Sequence, residues 1–430
     1  MRTVIRNGYV FEGNAAVKKD IVIEDGYIYG VLDGNSAEFD GLRDEMLDAE
    51  GKYVLPGFID MNCSICDPGY ENKEDIFSIS RSAIKGGFTS VACQPNTDPV
   101  IDDKTVVNYI LTKDRRLSKI NIFPYGSMTK KLMGSEIVEI GEMKKAGIVA
   151  LSDGGLAVQN ADILRNIMIY SSMFDLPVIT ACEDFRLSAD GVMNKGAHAT
   201  RIGLKGIPLE AEETMVARNI ILSKHTGVKL HIANVSTKGS VDLIRGAKKS
   251  GVKITCETCP HYFTLTEEAV GDYNTYAKVR PPLRTANDME SLIGGLADGT
   301  IDVISTGHSP ATTDSKSVEF DRAAFGISSM ETAFSLCYTS LVKTGVLSLP
   351  ELADKMSLMP AKILGLGDKG EIRENYEADL IIADVGASYV IRGGCFSSKA
   401  KYTPYEGTEV SGVVYATFVG GRLVYLEENL

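Results

Sequence analysis

From residue 54 onward, short apolar runs alternate with stretches in which apolar side chains recur every three or four positions. Residues 54–61 form the first apolar run, of strand type. Residues 75–85 then bring Ile76, Ile79 and Ala83 to one helical face, and Gly86-Gly87 ends that helix. Further strands are predicted at 88–93, 119–124, 147–151, 176–180, 229–235, 252–255 and 301–306. Amphipathic stretches separate most of them. Residues 162–173 group Leu164, Ile167 and Met168; 240–249 group Val241, Ile244 and Ala247; a later helix groups Phe334, Cys337 and Leu341. This alternation predicts a parallel sheet closed into a (β/α)8 TIM barrel over residues 54–365.

The flanks read differently. Residues 1–53 are short strands, with Asp25-Gly26 between alternating runs at 20–24 and 27–31, a hairpin signal. After about residue 366 the helical period stops. Strands follow at 379–384 and 413–426, the second folded at Gly420-Gly421. Both ends of the chain are therefore β.

Composition narrows the functional classes. The apolar fraction, 44%, is that of a globular protein. No apolar run approaches the ~18 residues of a membrane span. The first residues carry too short an apolar run for a signal peptide, so a cytoplasmic location is expected. A net charge of −12 without a basic patch argues against nucleic acid and anionic membranes as partners. Eight cysteines in 430 residues do not suggest a disulfide scaffold, and five histidines are few for a metal-dependent hydrolase.

Two motifs stand out: VLPGFIDMNCSICDPG from Val54, and GGFTSVACQPNT from Gly86. Their frame resembles the signature of type I dihydroorotases, a branch of the cyclic amidohydrolases. In that family PGFID is followed by M-H-x-H-L-R-x-P-G. The resemblance covers nearly the whole chain. It implies an amidohydrolase-type barrel at 54–365 and one β-sandwich built from 1–53 and 366–430. It also implies two zinc ions at the C-terminal ends of the barrel strands, where bound zinc lowers the pKa of water and supplies the hydrolytic nucleophile.

Traced position by position, the resemblance gives an altered site. The paired histidines of the first strand map onto Asn62 and Ser64. The bridging aspartate is kept as Asp153 in LSDGG. Later histidines map onto Ala181 in TACEDF and Asn234 in HIANVST. The aspartate that is both ligand and general base maps onto Gly307 in STGHSPA, with His308 beside it. Substrate contacts map onto Cys66, Ala311, Arg280 and Asn96, of which Asn96 alone is unchanged. Amide and hydroxyl groups are poor zinc ligands beside imidazole, so no metal is expected.

Three expectations attach to single residues. A buried Asp153 without metal needs a countercharge, which Arg280 is expected to supply; the alternative is that Arg280 is a surface loop residue. His231 has opposite strand parity to Asn234 and is expected to face the surrounding helices. Cys63-x-x-Cys66 and Cys256-x-x-Cys259 could in isolation form a zinc site. They lie on distant strands, however, and Cys63 has outward parity.

The chain is thus expected to be a catalytically silent relative with a structural or regulatory role. The resemblance points to a homodimer and to aspartate carbamoyltransferase, in pyrimidine biosynthesis, as the partner. The alternative is a cyclic amide hydrolase with a reworked site. That site would either hold zinc or work without metal through Asp153, His308 and Cys66.

Overall fold

The computed structural model describes residues 2–34 and 44–427. The stretches 1, 35–43 and 428–430 of the expected sandwich lie outside the described residues. Eight strands follow one another side by side in chain order: Phe58–Cys63, Phe88–Cys93, Asn121–Ser127, Ala150–Ser152, Val178–Ala181, Leu230–Ala233, Ile254–Thr258 and Val303–Ile304. All neighbours pair in parallel. A parallel bridge between Cys63 and His308 closes the ring, with the Ser64 N–H donating to the His308 carbonyl at 2.9 Å.

Local chemistry fixes where the covering helices start. Ile76–Lys85 begins at Asp75, whose carboxylate accepts the Ser78 N–H while the Ser78 hydroxyl accepts the Asp75 N–H. Lys238–Lys249 begins at Thr237, whose hydroxyl accepts the Ser240 N–H. Each helix buries the face read from its period, Ile76, Ile79 and Ala83 in one and Val241, Ile244 and Ala247 in the other. Strand alternation divides the core. Phe58, Val91, Leu151 and Ile232 meet the helices, whereas Ile59, Met61, Ala92, Tyr125, Ala150, Ile179 and Val303 pack with one another.

The second sheet joins both chain ends. Its order is Arg422–Leu426, Glu409–Val419, Leu380–Val390, Tyr53–Pro56, Arg2–Glu12, Ala15–Glu24, Tyr27–Asp33, with Asp44–Asp48 also on Arg2–Glu12. The Asp25-Gly26 turn forms, both residues at positive φ, and Glu24 pairs with Tyr27. One expectation needs correction. The run at 54–61 is two strands, not one. Leu55 pairs with Ile381 in the terminal sheet, and Phe58 pairs with Phe88 in the barrel. Gly57 is the joint, and a Cβ there would stand 2.3 Å from Thr89. Continuous apolarity hid the break, because both halves are buried. Among the described residues, no helix is long and apolar enough to cross a membrane.

Candidate functional site

The C-terminal ends of the barrel strands surround a pocket of about 130 Å³. Its lining includes Asn62, Ser64, Asp153, Ala181, Asn234 and Gly307, together with Asn96 and Arg280. Cys66, His308 and Ala311 are not part of it. Cys66 is buried, with its thiol donating to the Ser64 carbonyl, and burial pushes that thiol up to about 12. Ala311 packs with Ala400 and Tyr402, and its N–H donates to the Tyr402 hydroxyl at 3.0 Å.

His308 turns away from the pocket. Its Nδ1 accepts the Ser329 N–H, so the ring proton sits on Nε2, 3.4 Å from Glu74. Glu74 also accepts from the hydroxyls of Ser78 and Ser398. The histidine therefore ties the barrel to the segment near 398. Of Asp153, His308 and Cys66, Asp153 alone lines the pocket.

A chain of hydrogen bonds crosses the pocket floor and ends on Glu257. The Ser152 hydroxyl donates to Gln94 Oε1 at 2.7 Å, Gln94 Nε2 to Asn62 Oδ1 at 3.2 Å, and Asn62 Nδ2 to Glu257 Oε1 at 2.7 Å. Glu257 Oε2 lies 3.5 Å from His231 Nε2, and His231 Nδ1 is 2.9 Å from the Thr255 hydroxyl. His231 thus faces the barrel interior, contrary to the parity expectation. The strand ends at Ala233 and Asn234 adopts φ 54°, so alternation does not carry across that boundary. Glu257 alternates with Cys256 and Ile254, which face the helices, as Gln94 does with Val91 and Cys93.

Asp153 does not pair with Arg280. Both of its oxygens accept the Ala181 N–H at 3.1 Å, and Oδ1 also accepts the Gly155 N–H at 3.2 Å. Burial pushes its carboxyl up to about 7. The backbone N–H groups of Ala181 and Gly155 and the charge of Arg218 oppose that rise. Arg280 instead grips Glu183 with two bonds, Nε–Oε2 at 2.7 Å and Nη2–Oε1 at 2.6 Å, and lies over the Phe325 ring. Glu183 lies two residues after Ala181, one of the positions mapped above.

Gly307 is closed in by its neighbours. It has φ +62°, and a Cβ there would meet Cys259 Sγ at 2.7 Å and His261 Cε1 at 3.0 Å. Burial alone pushes His261 down to about 3, which holds its ring neutral. The cysteines are each engaged separately. Cys256 donates to the Thr300 carbonyl, Cys259 to Asn234 Oδ1, and Cys63 sits in the outer core. Among the described residues, no group of three or more His, Cys, Asp or Glu side chains is placed to hold a metal ion.

Two buried lysines clasp the segment that forms one wall of the pocket. Lys278 Nζ donates to the carbonyls of Phe320 and Asp321. Lys316 Nζ donates back to those of Thr275 and Lys278. Phe325, Gly326 and Ile327 follow directly and line the pocket.

Residues 51–240 match the family described as Dihydro-orotase-like. A dihydroorotase of Caldanaerobacter subterraneus subsp. tengcongensis is 50% identical over 426 residues, covering 99% of this chain and 97% of that protein. The chain belongs to the dihydroorotase-like family. A second dihydroorotase of this family, from Acetivibrio thermocellus, is 49% identical over 429 residues, or 99% of this chain and 100% of its own. Among solved structures, the L-hydantoinase (dihydropyrimidinase) of Arthrobacter aurescens superposes with a TM-score of 0.89. It covers 100% of this chain and 97% of its own at 24% identity. That likeness establishes the amidohydrolase-type barrel with a terminal β-sheet beside it.

Proposed function

We propose that this member of the dihydroorotase-like family does not carry out zinc-dependent hydrolysis of a cyclic amide. Its role would be structural or regulatory, as a homodimer, with aspartate carbamoyltransferase in pyrimidine biosynthesis as the partner to test. The donor set of the pocket carries this reading. Two zinc ions need several anionic or imidazole ligands. The mapped positions instead offer two amides, a hydroxyl, a methyl group, a glycine and Asp153. Asp153 is capped by backbone N–H groups on both oxygens. The place of the lost aspartate is crowded by Cys259 and His261. These residues do not fit a zinc pair.

The test is metal content after incubation with excess zinc and desalting, followed by a dihydroorotase assay and co-elution with the carbamoyltransferase. Absence of stoichiometric zinc and of turnover, with co-elution at micromolar concentration, is the expected result. Failure to co-elute would remove the partner. A second reading, a cyclic amide hydrolase with a reworked site, draws on the dihydroorotase names of relatives about 50% identical over the whole chain. Two bound zinc ions with turnover would establish it, as would metal-free turnover that falls in Asp153→Ala.

A further inference from the structure

A second cavity, of about 300 Å³, lies where the terminal sheet meets the barrel helices, and it shares no lining residue with the pocket described above. Its walls come from both layers. Phe334 stands on the helix Ala333–Cys337, Tyr389 lies near the end of the strand Leu380–Val390, Val414 on Glu409–Val419 and Tyr425 on Arg422–Leu426. Phe396 follows the turn Gly393–Cys395 and lines the cavity with them. Phe334, Val414 and Phe396 are buried. Protein interiors pack so closely that voids larger than a water molecule are few. An apolar space of this size with a polar rim has the character of a ligand site.

The rim holds the charged side chains Lys85, Glu331, Arg392 and Glu427, and all but Arg392 are engaged. Glu331 Oε1 accepts the Ser82 hydroxyl at 3.0 Å and the Ser398 N–H at 3.1 Å, and Oε2 lies 3.0 Å from Lys85 Nζ. Lys85 also donates to the Cys395 carbonyl at 3.2 Å. Glu427 accepts the Tyr425 hydroxyl at 2.5 Å. The Arg392 side chain is exposed and has no hydrogen-bond or ion-pair partner among the described residues. It also stands apart from Glu427. The Ile391 N–H donates to the Thr408 carbonyl, ahead of the strand Glu409–Val419, whereas the Glu427 N–H donates to the Tyr415 carbonyl inside that strand. One end of the apolar space thus carries an open guanidinium, which a carboxylate would complete.

We infer that this second cavity binds a compact aromatic or branched aliphatic carboxylic acid. The apolar body rests against Phe334, Val414 and Phe396, and the carboxylate meets the Arg392 guanidinium. The volume is about twice the roughly 150 Å³ that admits a benzene ring, which suits a body of two fused rings. The inference holds whether or not the barrel pocket is catalytic, because the two spaces have separate linings.

The chain supplies its own reporter. Cys395 lines the cavity and is exposed, whereas the other seven cysteines are buried. An uncharged alkylating reagent, iodoacetamide, should therefore modify Cys395 first. The probes are 2-naphthoate and its neutral isostere 2-naphthamide. Titration calorimetry on the full chain should show naphthoate binding below about 1 mM, and about fivefold more tightly than the amide. Saturating naphthoate should slow alkylation of Cys395. Arg392→Gln, at an exposed position, should abolish the preference for the acid with an unchanged melting curve. Val390→Trp places a large side chain on an exposed strand position of the lining and should abolish binding of both probes. No naphthoate binding at millimolar concentration, binding that leaves Cys395 unprotected, equal affinity for acid and amide, or a preference that survives in Arg392→Gln would each overturn the proposal.

Discussion

Gly307 occupies a position on the pocket wall that leaves no room for a side chain. Its φ of +62° is strained for a side chain, and the space a Cβ would need is held by Cys259 Sγ and the His261 ring. Gly307→Asp is expected to destabilise the fold by about 2 kcal/mol or more, measured by urea unfolding, and to recruit no zinc by itself. Asp153 makes a second prediction at this scale. Its folded pKa is raised by burial from 3.8 to about 7. The folded chain then holds a proton that the unfolded chain has released. Stability from this group is full below about pH 4 and is lost as pH rises to about 7. Asp153→Asn should flatten that fall and leave the protein about 1–3 kcal/mol more stable at pH 8. A variant with an unchanged pH profile would show that the carboxyl is ionised throughout.

At the scale of elements, the lysine clasp sets the wall of the pocket. Burial lowers Lys278 to about 8 and Lys316 to about 7, from 10.5. For groups depressed in this way, the folded state binds fewer protons than the unfolded one between those values and about 10.5. Stability should therefore rise with pH across that interval, by up to about 1.4 kcal/mol per pH unit for each lysine. Lys316→Met should reduce the slope, read from urea midpoints between pH 7 and 10. The elements also show where one-dimensional patterns stop informing. Periodicity located the strands and the buried helix faces, because burial is periodic. It missed the break at Gly57, since both flanking strands are apolar, and it misplaced His231, since Asn234 leaves the extended region just past the strand end. The Glu183–Arg280 pair joins loops far apart in sequence, and no local pattern announces it.

At the scale of the whole molecule, the resemblance placed eight named residues around one pocket, whereas the floor network had to be seen in three dimensions. Asn62 and Ser152 sit on different strands, and Gln94 lies just past the end of a third. Their sequence signal is only that polar side chains occupy positions at the inward, C-terminal ends of strands.

The terminal sheet has a consequence for how the protein is made. Leu55 lies immediately before the first barrel strand, yet its partner Ile381 emerges from the ribosome only after the whole barrel has been synthesised. Until then the strand Tyr53–Pro56 has an open edge on that side, and the nascent N-terminal strands wait as an unfinished sheet. Completion of the fold is thus timed by the last segment translated. A ribosome stalled before that point would display a finished barrel carrying an adhesive β-edge, the form of this chain most in need of a chaperone.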